Sequence, residues 1–224
     1  MTKTHITPEI ALTGIGGTAA ALFAVLASRS HEPRTFLGDL RMRRRIPFYR
    51  GRAKEAAFHF GLLGKEAAVG PAATLLAGGL LSSGRTHAAA AVSTAAAAAI
   101  AASHIFDATL PQKTPPPGRR APLDPHFPSG HALNSSSLLA IAAWVLGREG
   151  IADRRALGVA ASVLGLAFGI DRLMHDRHWT SDVVGGWLAA IEIAGFTAAG
   201  YEYSKRDRAM KQRGAGRPVR RKSR

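Results

Sequence analysis

His178 and Asp182 are the sharpest candidates for chemistry in this sequence. They are four residues apart, a spacing that would place both side chains on one face of a helix. A carboxylate beside an imidazole holds one ring nitrogen as a donor, which leaves the other nitrogen free to act as a base, nucleophile or ligand. Asp182 also precedes the apolar run 183–200, where a carboxylate favours a helix N-terminus. A capping Asp182 with a surface histidine is therefore the alternative interpretation.

A second candidate site is the run Pro128-Ser129-Gly130-His131, which precedes the apolar stretch 132–147. Ser129 is predicted to cap the following helix. Its hydroxyl, the Gly130 amide and the helix N-terminus would then face an anion together, and glycine permits close backbone approach. His131 would stand beside that anion and could donate a proton to a leaving oxygen. The alternative is an ordinary helix cap followed by a histidine at headgroup level.

Three cations accompany these histidines in the same two polar segments: Lys113, Arg120 and Arg172. If they converged, they would repel one another unless an anion lay between them. Guanidinium and ammonium groups suit phosphate oxygens, so the set predicts a phosphate or diphosphate ligand. Taken singly, each of them is better explained as a solvated loop charge near lipid headgroups.

The elements that position these residues are predicted to be membrane helices. The chain has 224 residues, 30 Lys and Arg, 15 Asp and Glu, and a net charge of +15. Its charge is concentrated in blocks, and the stretches between them show almost no polar face, unlike helices of soluble proteins. A bilayer span needs about 20 mostly apolar residues. The sequence thus predicts an all-α integral membrane bundle of about six transmembrane helices, over residues 8–28, 67–83, 88–103, 132–147, 156–170 and 183–200. The alternative is a soluble alanine-rich helical bundle.

Six spans place the loops after the first, third and fifth spans on one side of the membrane, which brings His131 and His178 to the same surface. Residues 1–204 form the predicted membrane domain, and its polar basic loop 34–65 suits an interfacial helix. The basic tail 205–224 is predicted to be disordered and to lie near anionic headgroups on the cytoplasmic side. Nucleic-acid binding is not expected, because no aromatic residue follows Tyr203. Lys and Arg are equally numerous on the two sides, so this count does not orient the protein.

These motifs, in this order, resemble the type 2 phosphatidic acid phosphatase family. The family signature is Lys, six residues, Arg-Pro; then Pro-Ser-Gly-His; then Ser-Arg, five residues, His, three residues, Asp. The motifs cover residues 113–182, and the six-span layout covers the whole chain. The matching residues are Lys113 and Arg120 in the first part, Pro128-Ser129-Gly130-His131 in the second, and Arg172, His178 and Asp182 in the third.

Two positions depart from the family pattern. Arg120 is followed by Ala121, with Pro122 one step later, and Asp171 stands where the family has serine. Neither change removes a group that performs chemistry. Asp171 does place a negative charge beside Arg172, which is expected to affect phosphate affinity or substrate choice.

The resemblance implies a lipid phosphatase that forms a phosphohistidine and needs no metal or other cofactor. His178 would be the nucleophile, Asp182 would orient it, and His131 would be the general acid. The resemblance assigns phosphate binding to Lys113, Arg120, Ser129, Gly130 and Arg172. The substrate would be a polyprenyl diphosphate, narrowly preferred, or phosphatidic acid or phosphatidylglycerol phosphate, in a bacterial cell membrane.

Two other functions remain open from the residues themselves. His175, His178 and Asp182 form a possible three-ligand metal set, which would make the protein a metal-dependent membrane hydrolase. The three cations argue against it, because they would repel a divalent ion. The second alternative is a non-catalytic lipid-binding membrane protein. The chain has no cysteine, which excludes disulfides, thiolate metal ligands and a cysteine nucleophile.

Overall fold

The structure, a computed structural model, describes residues 6–30, 38–110 and 127–215. Within these ranges it is built from helices and has no strand. Six helices coincide with the six predicted apolar stretches, and two short ones lie in the polar basic loop. The helices are α1 (Pro8–Ser28), α2 (Asp39–Arg45), α3 (Arg52–Leu62), α4 (Glu66–Ser82), α5 (Thr86–Thr109), α6 (Gly130–Arg148), α7 (Arg154–Met174) and α8 (Thr180–Ala215).

Four of the helices, α1, α5, α7 and α8, are long and apolar enough to cross a membrane. Helix α4 is apolar but only 17 residues long. Helix α6 carries Asn134 and three serines in its first two turns. The all-helical membrane class is confirmed, whereas the count of six spans remains a prediction.

The outer surface of the bundle is that of a protein in lipid. Large apolar side chains point outward from several helices, while much of the interior is filled by alanine. Small interior residues let membrane helices approach closely. Exposed large apolar residues on the helices include Ile10, Ile15, Leu22, Leu75, Ile105, Val159, Val163 and Phe196.

Helices α1 and α8 make the most extensive contact in the bundle. They cross where Gly16 meets Gly195. A methyl group at Gly195 would lie 3.0 Å from the Gly16 Cα and 3.1 Å from the Leu12 carbonyl oxygen. Only a residue without a side chain therefore allows the two backbones to pack at this distance.

Helix α8 continues past the predicted end of the membrane domain, to Ala215. Residues 205–215 are therefore helical, which corrects the prediction of a disordered tail for this part; residues 216–224 lie outside the described residues. Asp207 and Lys211 pair at 2.7 Å across one turn, and Arg206 pairs with Glu9 at the start of α1. Such i, i+4 pairs and cross-helix contacts stabilise a charged helical segment that lacks an apolar face.

Candidate active site

The candidate site is a cavity of about 380 Å³ at one end of the bundle. Here α5 and α7 end and α4, α6 and α8 begin, so the ends of five helices surround one space. The residues in its wall that carry polar or charged groups include Lys65, Ser103, His131, Asn134, Arg172, Arg177 and His178. The predicted convergence of His131 and His178 on one surface is therefore seen in the geometry.

Arg172 lies in the last turn of α7 and is largely buried. Its Nη1 is 3.2 Å from Nε2 of His131, in the first turn of α6. Its Nε donates to Oδ2 of Asp171 at 2.9 Å, and its Nη2 contacts the same oxygen. The guanidinium thus spans the Asp171 carboxylate and the His131 ring. Asp171, which departs from the family pattern, therefore forms an ion pair with the adjacent Arg172.

His178 and Asp182 are neighbours at the start of α8, although His178 precedes the first helical residue, Thr180. Nδ1 of His178 lies 3.5 Å from Oδ2 of Asp182. That oxygen also accepts the backbone N–H of Trp179 at 2.9 Å, and Asp182 is fully buried. Asp182 therefore stabilises the first turn of α8 and faces the imidazole at the same time. The distance to His178 exceeds that of a hydrogen bond.

Ser129 occupies the N-cap position of α6, as predicted, but its hydroxyl makes no capping hydrogen bond. Ser129 is fully buried, and its N–H donates to the Asp182 carbonyl oxygen at 2.9 Å. This bond ties the start of α6 to the start of α8. Gly130 lies in the cavity wall and packs against Ser103, whose Oγ would be 3.0 Å from an added methyl group.

Two predicted phosphate ligands, Lys113 and Arg120, lie in the segment 111–126, outside the described residues. Two cations that the motif search did not single out, Lys65 and Arg177, line the cavity. Burial and the positive charge of Arg172 lower the pKa of Arg177. Cations held this close to one another favour an anionic ligand between them.

The positions of these additional residues in the sequence could have indicated that they lie near the site. Arg177 lies inside the spacing that separates Arg172 from His178, and Lys65 ends the polar loop on the same predicted side. Asn134 is three residues after His131, so it shares a face of α6 with it. Its buried Oδ1 has no hydrogen-bond partner among the described residues.

The possible metal set does not assemble. Nδ1 of His175 lies 3.0 Å from the backbone oxygen of Asp171 and 3.2 Å from its Oδ1, and the ring packs edge-on against Tyr49. His175 is thereby directed to α7 instead of to Asp182. Among the residues that the structure describes, no group of three His, Asp or Glu side chains could hold a metal ion.

The family model described as the PAP2 superfamily matches residues 16–206, most of the chain. The chain belongs to the PAP2 superfamily. The match includes all three motifs, so the resemblance read from the sequence is confirmed. It supports a membrane phosphatase that acts on lipid phosphates.

The fold of a solved PAP2 protein is also similar. The crystal structure of a transmembrane PAP2-type phosphatidylglycerolphosphate phosphatase from Bacillus subtilis superimposes with a TM-score of 0.71. The two sequences are 17% identical, and the alignment covers 85% of this chain and 96% of the other. At this identity the likeness concerns the membrane fold. A search of curated proteins found no match.

Proposed function

We propose that this PAP2 protein hydrolyses a phosphomonoester or diphosphate of a membrane lipid through a phosphohistidine. The observation that carries the proposal is the cavity shared by His131, Arg172 and His178 at one end of an apolar bundle. A phosphate at headgroup level would reach this cavity while its lipid chain stays in the bilayer.

In the first step, Nε2 of His178 attacks phosphorus and the bond from phosphorus to the leaving oxygen breaks. His131 donates a proton to that oxygen. Asp182, beside Nδ1, orients His178 and stabilises the positive charge that develops on its ring. In the second step, water gives a proton to His131 and attacks phosphorus, which releases inorganic phosphate and restores His178.

Charge on the phosphoryl oxygens is stabilised by cations and by the start of α6. Arg172, Ser129 and the Gly130 amide are assigned this role together with Lys113 and Arg120. These groups supply the positive charge that a metal ion supplies in many other phosphoryl-transfer enzymes. The reaction thus proceeds without a metal cofactor.

A polyprenyl diphosphate is narrowly preferred as substrate over phosphatidic acid and phosphatidylglycerol phosphate. Lys65 and Arg177 add two cations to the cavity beyond those of the motifs, which suits a second phosphoryl group. Helix α8 starts at the site and carries the basic tail to the other end of the bundle. With that tail on the cytoplasmic side, the cavity opens on the outer face of a bacterial cell membrane.

A phosphate-release panel tests this function on the purified protein in detergent. We expect the polyprenyl diphosphate to be hydrolysed with the highest kcat/KM of the panel. The activity should persist in EDTA and should be inhibited by vanadate. Activity abolished by EDTA and restored by Zn²⁺ would identify a metal-dependent hydrolase. Lipid binding without release of phosphate from any panel member would identify a binding protein.

Substitution of Gly61 by alanine is expected to weaken phosphate binding. Helix α3 packs against the site so closely that a methyl group at Gly61 would overlap the Arg172 guanidinium. Displacing this cation from the phosphate removes a charge-assisted hydrogen bond, so KM should rise by about tenfold. Steady-state kinetics and vanadate inhibition measure the effect.

The matched control is Gly78→Ala in α4, where an added methyl group meets open space. Its KM should equal that of the wild type. An unchanged KM in Gly61→Ala as well would show that Arg172 can move without loss of phosphate binding.

A further inference from the structure

Helix α2 lies against the turn that carries His178. We propose that Asp39 and Arg43 of α2 are positioning residues, which clamp this turn on both sides of the nucleophile. The inference rests on the proposed function, since it assigns a role in setting the geometry of His178. The family motifs lie within residues 113–182, so α2 is outside all of them.

The first contact holds the turn before His178. Nε of Arg43 donates to Oδ1 of Asp176 at 2.9 Å, and its Nη2 donates to Oδ2 at 3.0 Å. Two parallel hydrogen bonds fix the orientation of the carboxylate as well as its position. Asp176 has a φ of 51°, in the left-handed region that residues other than glycine seldom adopt. The bidentate pair therefore holds the turn where the backbone has little preference of its own for the observed conformation.

The second contact holds the turn after His178. The carboxylate of Asp39 accepts the Ser181 N–H at 2.9 Å and the Ser181 hydroxyl at 2.6 Å. Asp39 and Ser181 are both buried. Ser181 precedes Asp182, so Asp39 supports the first turn of α8 next to the carboxylate that faces His178. A negative charge also favours this helix N-terminus.

One face of α2 makes these contacts, and the opposite face does not. Asp39 and Arg43 are four residues apart and share a face of α2. Ile46, the residue that follows the helix, packs against the cluster of Ala132, Leu173 and Val183. Arg44, on the other face, is exposed. A helix that served only to carry charge to the membrane surface would not need a buried carboxylate.

Farther along the same segment, the Tyr49 N–H donates to the Met174 carbonyl oxygen at 3.1 Å, just before the turn. The path of residues 174–181 is thus attached to residues 39–49 at three points. Misplacement of a reacting group by about 1 Å can lower a rate by about 10²-fold. Loss of the Arg43–Asp176 pair should therefore slow the attack of His178 more than it weakens substrate binding.

The test compares Arg43→Ala with Arg44→Ala, a cation of the same helix that faces outward. In Arg43→Ala we expect kcat and the rate of phosphohistidine formation to fall by about 10- to 10²-fold, with KM little changed. Arg44→Ala should match the wild type. Rapid quench with a ³²P-labelled lipid phosphate measures the phosphohistidine, and a melting curve reports the folded fraction.

Two further variants distinguish a role of Arg43 in positioning His178 from a role in the stability of the fold alone. Arg43→Lys keeps the charge without the two-pronged geometry and should recover part of the rate. The double variant Arg43→Asp/Asp176→Arg should recover more activity than either single exchange. A wild-type rate of phosphohistidine formation in folded Arg43→Ala would overturn the clamp and leave the proposed function intact. Absence of phosphohistidine in the wild type would overturn both.

Discussion

Replacement of His178 by alanine is expected to reduce phosphate release by more than about 10⁴-fold. Alanine has no atom that can attack phosphorus, and water would have to replace the nucleophile in a site shaped for an imidazole. No acid-labile phosphoenzyme should form from a ³²P-labelled lipid phosphate. The measurement is single-turnover labelling alongside steady-state phosphate release.

The matched control for this variant is His87→Ala. His87 is in the first turn of α5, at the opposite end of the bundle from the cavity. Its removal should leave both the labelling and the turnover unchanged. A labelled, acid-labile phosphoenzyme in His178→Ala would contradict the assignment, because the phosphoryl group would then reside on another side chain.

Replacement of His131 by alanine is expected to lower kcat by about 10²- to 10⁴-fold for a lipid phosphomonoester. The alkoxide that departs from such a substrate needs a proton, and His131 is the group assigned to supply it. A phosphate ester with an acidic leaving group, such as p-nitrophenyl phosphate, needs this proton far less. The loss should therefore be much smaller for p-nitrophenyl phosphate, and kinetics with the two substrates measure the difference.

His131 also contacts Arg172, at 3.2 Å between Nε2 and Nη1. Its replacement can therefore also act on phosphate binding, through Arg172. If the contact with Arg172 were its main contribution, the alanine variant would raise KM and lose activity equally with both substrates. That result would assign His131 to phosphate binding instead of proton transfer. Arg172→Lys provides the comparison, since it should raise KM for both substrates alike.

Much of the fold follows from the sequence for a simple reason. Backbone groups in lipid must be hydrogen-bonded within the chain, so a long apolar segment becomes a helix wherever it lies in the membrane. The predicted stretch 8–28 coincides with α1, and the stretch 156–170 lies inside α7. The candidate catalytic and phosphate-binding residues could also be identified from the sequence, because the motifs are defined by residue type and short spacing.

The contacts between distant segments needed the tertiary structure. Arg43 and Asp176 are 133 residues apart, and Asp39 and Ser181 are 142 residues apart. Nothing in the local pattern of the basic loop distinguishes Arg43 from Arg44, since the two have the same charge and are adjacent. Only the packing of α2 on the start of α8 decides which of them meets a carboxylate.

The sequence by itself determined a helical membrane protein with a paired histidine and aspartate, a second histidine and several cations. Local hydropathy and residue type carry that information. The tertiary structure decided how these groups face one another, including the contact of His131 with Arg172 and the close approach of Gly61 to the same arginine side chain. Such contacts depend on how the helices pack in three dimensions, and short-range sequence patterns do not encode that packing.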